Sequence, residues 1–239
     1  LKESDPDAQM KAAGALGSLA IRSAPNQSII ADAGGIQLLV RLLSEHHGDT
    51  VHAKAAKALA ELTSGHASNQ HVVAEAGGIP LIVELLHGDV EEEVKTEGAR
   101  ALWSFSHDHP ANKEAIAHAG GITPLVKLIG EGGVQAQTEA AAALASIALD
   151  NPLNEEDIAN KLVNLLSTPA RRAATNAARA MASLARANAS NQGAIARAGG
   201  VPPLVDLLQS TTPHIKRRGT ALSAATESNA DSIALINEV

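Results

Sequence analysis

Ten histidines and no cysteine bound the site chemistry open to this sequence. His46-His47, and His107 with His109 around Asp108, come nearest to a metal-ligand cluster. Zinc asks for three or four imidazole, thiolate or carboxylate donors converging on one point. Apart from Asp108, no third donor stands at ligand spacing, so these histidines read as solvated residues of inter-helix loops. His66 and His71 bracket another loop and read the same way. Glu155-Glu156-Asp157 supplies neighbouring carboxylates, but at an exposed helix start, where acids cap rather than shuttle protons. The glycine pairs are followed by no Lys-Ser/Thr, which a phosphate-cradling loop needs. There is no Gly-x-Ser-x-Gly elbow and no Cys nucleophile. The expectation is no catalytic residue, no metal and no cofactor.

Composition narrows the function classes further. Nineteen basic residues against twenty-six acidic ones leave a formal charge of −7, which argues against nucleic acid as a partner, since phosphate-backbone binding needs clustered Lys and Arg. No apolar run approaches the roughly 18–20 residues of a membrane span, and the opening LKESDPDAQM lacks the basic-then-apolar pattern of a signal peptide. One Trp, one Phe and no Tyr leave Ala, Leu, Ile and Val to build the core, and small side chains suit helices packed close together.

Those residues are carried by a repeated block. Ala-Gly-Gly occurs at Ala33-Gly34-Gly35, Ala76-Gly77-Gly78, Ala119-Gly120-Gly121 and Ala198-Gly199-Gly200, the first three 43 residues apart. An anchor Asn recurs at Asn26, Asn69, Asn112, Asn154 and Asn191, at steps of 43, 43, 42 and 37. A period near 40 with three helical patterns per block is the signature of a stacked helical solenoid. In the first full block Ile29, Ile30 and Ala33 are expected to face inward on a two-turn helix that Gly34-Gly35 ends. A second helix is predicted over Ile36–Leu43 and a third over Val51–Thr63, with Asp49 or Thr50 as its cap. Glu91-Glu92-Glu93 read as a solvated helix start or, less readily, as an acidic docking patch. The predicted units are 1–25 (third helix only), 26–68, 69–111, 112–153, 154–190, 191–228 and 229–239 (first helix only), together one solenoid over 1–239. The unit 154–190 lacks the Ala-Gly-Gly turn, so its first helix should be shortened or fused to its second and should bend or slip the stack. Neither end reads as a polar cap, which predicts that the chain is part of something longer.

The landmarks Asn-x-x-x-Ile/Val, Ala-Gly-Gly-Ile-Pro, Leu-Val-x-Leu-Leu and Ala-x-x-Ala-x-x-Ala-Leu resemble armadillo repeats over essentially the whole chain. The resemblance implies an all-α fold, an armadillo-type right-handed superhelix of stacked three-helix repeats. It implies also that the third helices line a concave groove for an extended partner segment, and it implies cytoplasmic or nuclear residence. Importin-alpha-like members carry a Trp and, four residues on, an Asn on each third helix. Here the Trp-equivalent positions are Gly14, Lys57, Arg100, Ala142, Arg179 and Thr220, and the Asn-equivalent ones are Ser18, Glu61, Ser104, Ser146, Ser183 and Ala224, so that groove chemistry is absent. Trp103 stands three residues past its ladder position and reads, with Phe105, as packing or as one aromatic patch on the second unit's edge.

The resemblance places Lys54, Lys57, Glu61, Glu97, Arg100, Ser104, Glu139, Ser146, Asn176, Arg179, Ser183 and Arg217 along the groove. Glu97 with Arg100 and Lys57 with Glu61 stand at helical pair spacing. They are either plain intrahelical pairs or parts of a floor for an acidic or mixed-charge segment. The functional expectation is a non-enzymatic protein-protein interaction scaffold or adaptor holding a protein or peptide segment in the groove. The alternatives are a structural subunit docking by its edges or convex face in a large assembly, and the interaction region of a longer protein such as a ubiquitin ligase. Oligomeric state is left open.

Overall fold

In a computed structural model of the chain, which describes residues 5–45, 47–186 and 188–210, every regular element among the described residues is an α-helix. The chain divides after Gly200 into two compact units. The first opens on α1 (Pro6–Ala20). Then come groups of two short helices and a long one: α2 (Ala24–Asp32), α3 (Gly35–Ser44) and α4 (Asp49–Thr63); α5 (Ala67–Glu75), α6 (Gly78–His87) and α7 (Glu92–Ser106); α8 (Pro110–His118), α9 (Ile122–Glu131) and α10 (Val134–Ala148). The next group is α11 (Pro152–Leu166) with α12 (Arg171–Ala185), and α13 (Ala189–Arg197) closes the unit. The second unit contributes α14 (Val201–Ser210), which Pro202 and Pro203 open. The rest of the predicted unit 191–228 beyond residue 210 and the partial repeat 229–239 lie outside the described residues.

The Ala-Gly-Gly turn has two distinct causes. Its first glycine takes a left-handed φ, +79° at Gly34 and +78° at Gly77, where a Cβ is strained. Its second allows a close approach: a Cβ on Gly35 would lie 2.6 Å from Ile30 Cγ2 and 2.8 Å from Ile30 O. The short helices before the turn bury less than expected. On α2 only Gln27 and Ile30 are buried, while Ile29 is 64% exposed and Ala33 is exposed. A helix of nine residues has one inward stripe, and i and i+3 fill it.

The long helices α1, α4, α7 and α10 pack each on the next. Leu59, Leu62, Leu102, Leu144 and Ile147 are fully buried in this row, and alanines such as Ala55, Ala58 and Ala99 let the backbones approach. The anchor Asn supplies the polar bonds between units. Asn69 Nδ2 donates to Leu62 O (2.8 Å) and to Gln27 O of the preceding unit (3.2 Å). Asn112 does the same to Phe105 O and Gln70 O, and Asn154 to Ile147 O and Lys113 O. The next residue forms a second lock. Gln27 Nε2 reaches Glu61 O, Gln70 Nε2 reaches Ser104 O, and Lys113 Nζ reaches Leu149 O. At the fourth copy the residue is Glu155, which cannot donate; buried, it accepts from the Ser190 hydroxyl instead. Glu155 is therefore not the exposed cap expected of it; Asn151 caps α11.

Other expected loop roles change as well. His66 and His109 are not merely solvated: each is half-buried and caps a helix by accepting at Nδ1 from the N–H of Asn69 or Asn112 (3.3 Å). His66 Nε2 is then the donor to Ser28 Oγ at 3.0 Å. Asp49 is the first residue of α4 rather than its cap, and its Oδ2 receives the Glu91 N–H at 2.6 Å. One unit on, Glu92 Oε1 receives the Gly133 N–H at 2.7 Å. The acids at these helix starts thus clasp the following unit. His46 lies outside the described residues.

The unit without Ala-Gly-Gly has one continuous helix, α11, where the others have two. Its long helix α12 packs on α9 as well as on α10 and α11.

Candidate partner-binding groove

Helices α4, α7 and α10 bury most of their circumference and leave a narrow stripe accessible, and α12 leaves a broader one. On α4 the stripe is Lys54, Lys57 and Glu61; on α7 Arg100 and Trp103; on α10 Thr138, Glu139, Ala142 and Ala145; on α12 Arg179 and Ser183. Side-chain contacts place these stripes side by side. Arg100 Nη2 donates to Glu139 Oε1 at 2.9 Å, forward from α7 to α10, and Nη1 lies 4.0 Å from Glu61 Oε1, back on α4. Its Nε is 3.6 Å from Glu97 Oε2 on its own helix. Lys54 Nζ reaches Glu93 Oε1 at 3.3 Å. The expected pair Glu97–Arg100 is therefore one edge of a cluster that spans three units.

The cluster's electrostatics follow from its burial. Glu97 is 7% exposed, and desolvation pushes its carboxyl above the ordinary carboxylate range against the opposing pull of Arg100 and Lys57. Burial also works against the charge of Arg100. Glu97, Glu139 and Glu61 outweigh it, so the guanidinium is held charged more firmly than usual. With Lys54 and Lys57 beside the three carboxylates and Arg100, this part of the face carries both signs of charge.

Of the two hydroxyls expected on the groove floor, Ser104 is withdrawn from it, while Ser146 is mostly buried but still borders a depression in the face. Ser104 is buried, donates to Ala60 O at 2.8 Å and shares a hydrogen bond with Thr63 Oγ1. Ser146 is buried and accepts from Ser106 Oγ at 2.8 Å. Both positions face the neighbouring third helix. Glu97 and Asn176 are likewise buried. Arg217 lies outside the described residues.

The face deepens where α12 follows the fused helix. A depression of about 370 Å³ lies between α10 and α12, bordered by Thr138, Ala142 and Ala145 on one side and Asn176, Arg179 and Ser183 on the other. A second, about 390 Å³, runs from Trp103 and His107 past Ala145 and Leu149 to Ser183 and Asn188. Trp103 is only half-buried, with its ring 5.8 Å from that of His107, whereas Phe105 is fully buried. Trp103 is thus a groove residue, not the packing residue expected from its offset. Its spacing of three from Arg100 is the signal that could have placed it, since i and i+3 share a helix face. Ala141, Ala142 and Ala145 supply the low wall.

Among the described residues, no group of three or more His, Asp or Glu side chains is placed to hold a metal ion, and no helix is long and apolar enough to cross a membrane.

The armadillo/beta-catenin-like repeat model matches residues 23–64, 109–149 and 188–218. No curated protein matches the sequence. Among solved structures, an engineered protein is 36% identical, with a TM-score of 0.70 over 91% of this chain and 89% of its own. A designed armadillo repeat protein is 26% identical (TM-score 0.68, 86% and 88% covered). Another, solved in complex with the peptide (KR)4, is 25% identical (TM-score 0.68, 94% and 95% covered). The stacked three-helix units, the Ala-Gly-Gly turns and these likenesses agree: the chain belongs to the armadillo repeat family.

Proposed function

We propose that this chain is a non-enzymatic protein-interaction scaffold that holds an extended partner segment along the shared face of α4, α7, α10 and α12. The observation that carries the reading is the continuity of that face. Arg100 links α4 to α10, and Ala145 and Ser183 border both depressions, so one segment can cross several units without leaving a contact surface. Extended chain advances about 3.3 Å per residue against helix spacings of about 8–10 Å, so each unit would read two or three residues. The designed armadillo neighbour solved with a bound peptide supports the same use of the fold. The face is of mixed charge on its α4–α7–α10 part and basic along α12.

A peptide library displayed on phage tests this. Selected peptides should lose binding to Ala142→Arg, which fills the depression, and keep it with Glu114→Arg on the exposed side of α8. Retained binding to the first and loss with the second would refute the reading.

A further inference from the structure

The slot between α10 and α12 has unused recognition capacity. Asn176 is 7% exposed, yet its Nδ2 is buried without an acceptor. Buried polar groups are almost always satisfied, and an exception asks for a cause. Asn176 borders the slot, and a carboxamide carries both donor and acceptor, which a half-turn about χ2 exchanges. Three residues on, Arg179 is exposed, and its guanidinium forms no ion pair among the described residues. This contrasts with Arg100, which three carboxylates surround. Helix α12 carries Arg171, Arg172 and Arg179 and no acid. The facing helix α10 has a single carboxylate, Glu139, and Arg100 occupies it. The remaining wall, Thr138, Ala142 and Ala145, is neutral and small.

We propose that this slot seats an Asp or Glu of an extended partner segment. Its carboxylate pairs with Arg179, and the adjoining main-chain peptide group supplies the hydrogen-bond partner that Asn176 lacks. A guanidinium suits this role because its fork of donors matches a carboxylate. The low alanine wall leaves room for the segment's backbone. The proposal rests on the scaffold reading and adds to it the sign and place of one subsite. Basic residues of the same segment would lie toward Glu61, away from α12, so the site also sets the segment's register.

The test uses the full chain and three fluorescein-labelled peptides at low salt: a short alternating Glu-Ser peptide and its Lys-Ser and Gln-Ser counterparts. Affinity is read by polarisation, and the contact surface by backbone and side-chain amide NMR. The Glu-Ser peptide should bind about tenfold more tightly than Gln-Ser. Arg179→Gln should remove most of that preference and Arg179→Glu should transfer it to Lys-Ser, with thermal melts unchanged because Arg179 is exposed. Asn176→Ala should weaken Glu-Ser and Gln-Ser alike, by about threefold, since it reads the main chain. The proposal is overturned if Arg179→Glu leaves Glu-Ser affinity unchanged, or if wild type prefers Lys-Ser. If in that case the Lys-Ser peptide perturbs amides of α7 and α10, the scaffold reading survives without this subsite. If no peptide perturbs any third-helix amide, both fall.

Discussion

Asn112 donates from Nδ2 to the main-chain carbonyl of Phe105 at 2.8 Å, closing the corner between α7 and α8, and reaches Gln70 O of the preceding unit at 3.1 Å. One carboxamide thus satisfies a helix-end carbonyl and ties two units together. Removing it leaves both buried acceptors without this donor. Asn112→Ala should cost about 1–3 kcal/mol in urea denaturation. A change under about 0.5 kcal/mol, the range of an ordinary surface substitution, would show that the recurring Asn is not a structural tie.

Close approach at one glycine and open space at another predict opposite outcomes. Gly35→Ala drives a Cβ into Ile30 Cγ2 and O and should destabilise by about 1–3 kcal/mol. Gly14→Ala, in the interior of α1 with nothing within 4 Å of its Cβ, should be neutral or stabilising by up to about 1 kcal/mol. Thermal melts of the two variants rank them.

Packing between third helices predicts a larger effect. Leu59 and Leu102 are fully buried in the row, so either change to Ala should cost about 2–5 kcal/mol through the cavity it opens. Glu156→Ala on exposed α11 surface should be nearly neutral. Equal denaturation midpoints for the three would place the core elsewhere.

Glu97 gives a pH dependence with a definite sign. Its folded carboxyl binds a proton more tightly than the unfolded one because burial disfavours the charge. Between the ordinary carboxylate value and the raised folded one, the folded state holds the extra proton, so stability falls as pH rises through that window and levels off above it. Glu97→Gln should gain stability relative to wild type across the same rise. A wild-type advantage that grows with pH there would contradict the assignment.

The fold is legible in the sequence because its causes are local and repeat. Left-handed glycines, apolar stripes and fixed Asn positions recur at one period, and even the loss of one Ala-Gly-Gly points to the irregular unit. The side-chain ties are not legible. Nothing in an Asn-Gln, Asn-Lys or Asn-Glu pair says that its second residue is buried against the next unit, and nothing local sets Ser104 against Thr63 forty-one residues away. The groove residues are half visible. Helical spacing puts Arg100, Glu139 and Arg179 on accessible stripes, but which charges neutralise one another depends on the stagger between helices. That stagger makes Arg100 a bridge among acids and leaves Arg179 on a face without them. Trp103 is misread from the sequence because an importin-like ladder would put the aromatic ring three residues earlier, at Arg100.

The most direct measurement is an amide NMR titration of the chain with a library-selected peptide. Perturbations confined to residues of α4, α7, α10 and α12, with Thr138, Ala142, Arg179 and Ser183 among the strongest, are the predicted result. Perturbations that fall instead on α6 or α9 would contradict the account.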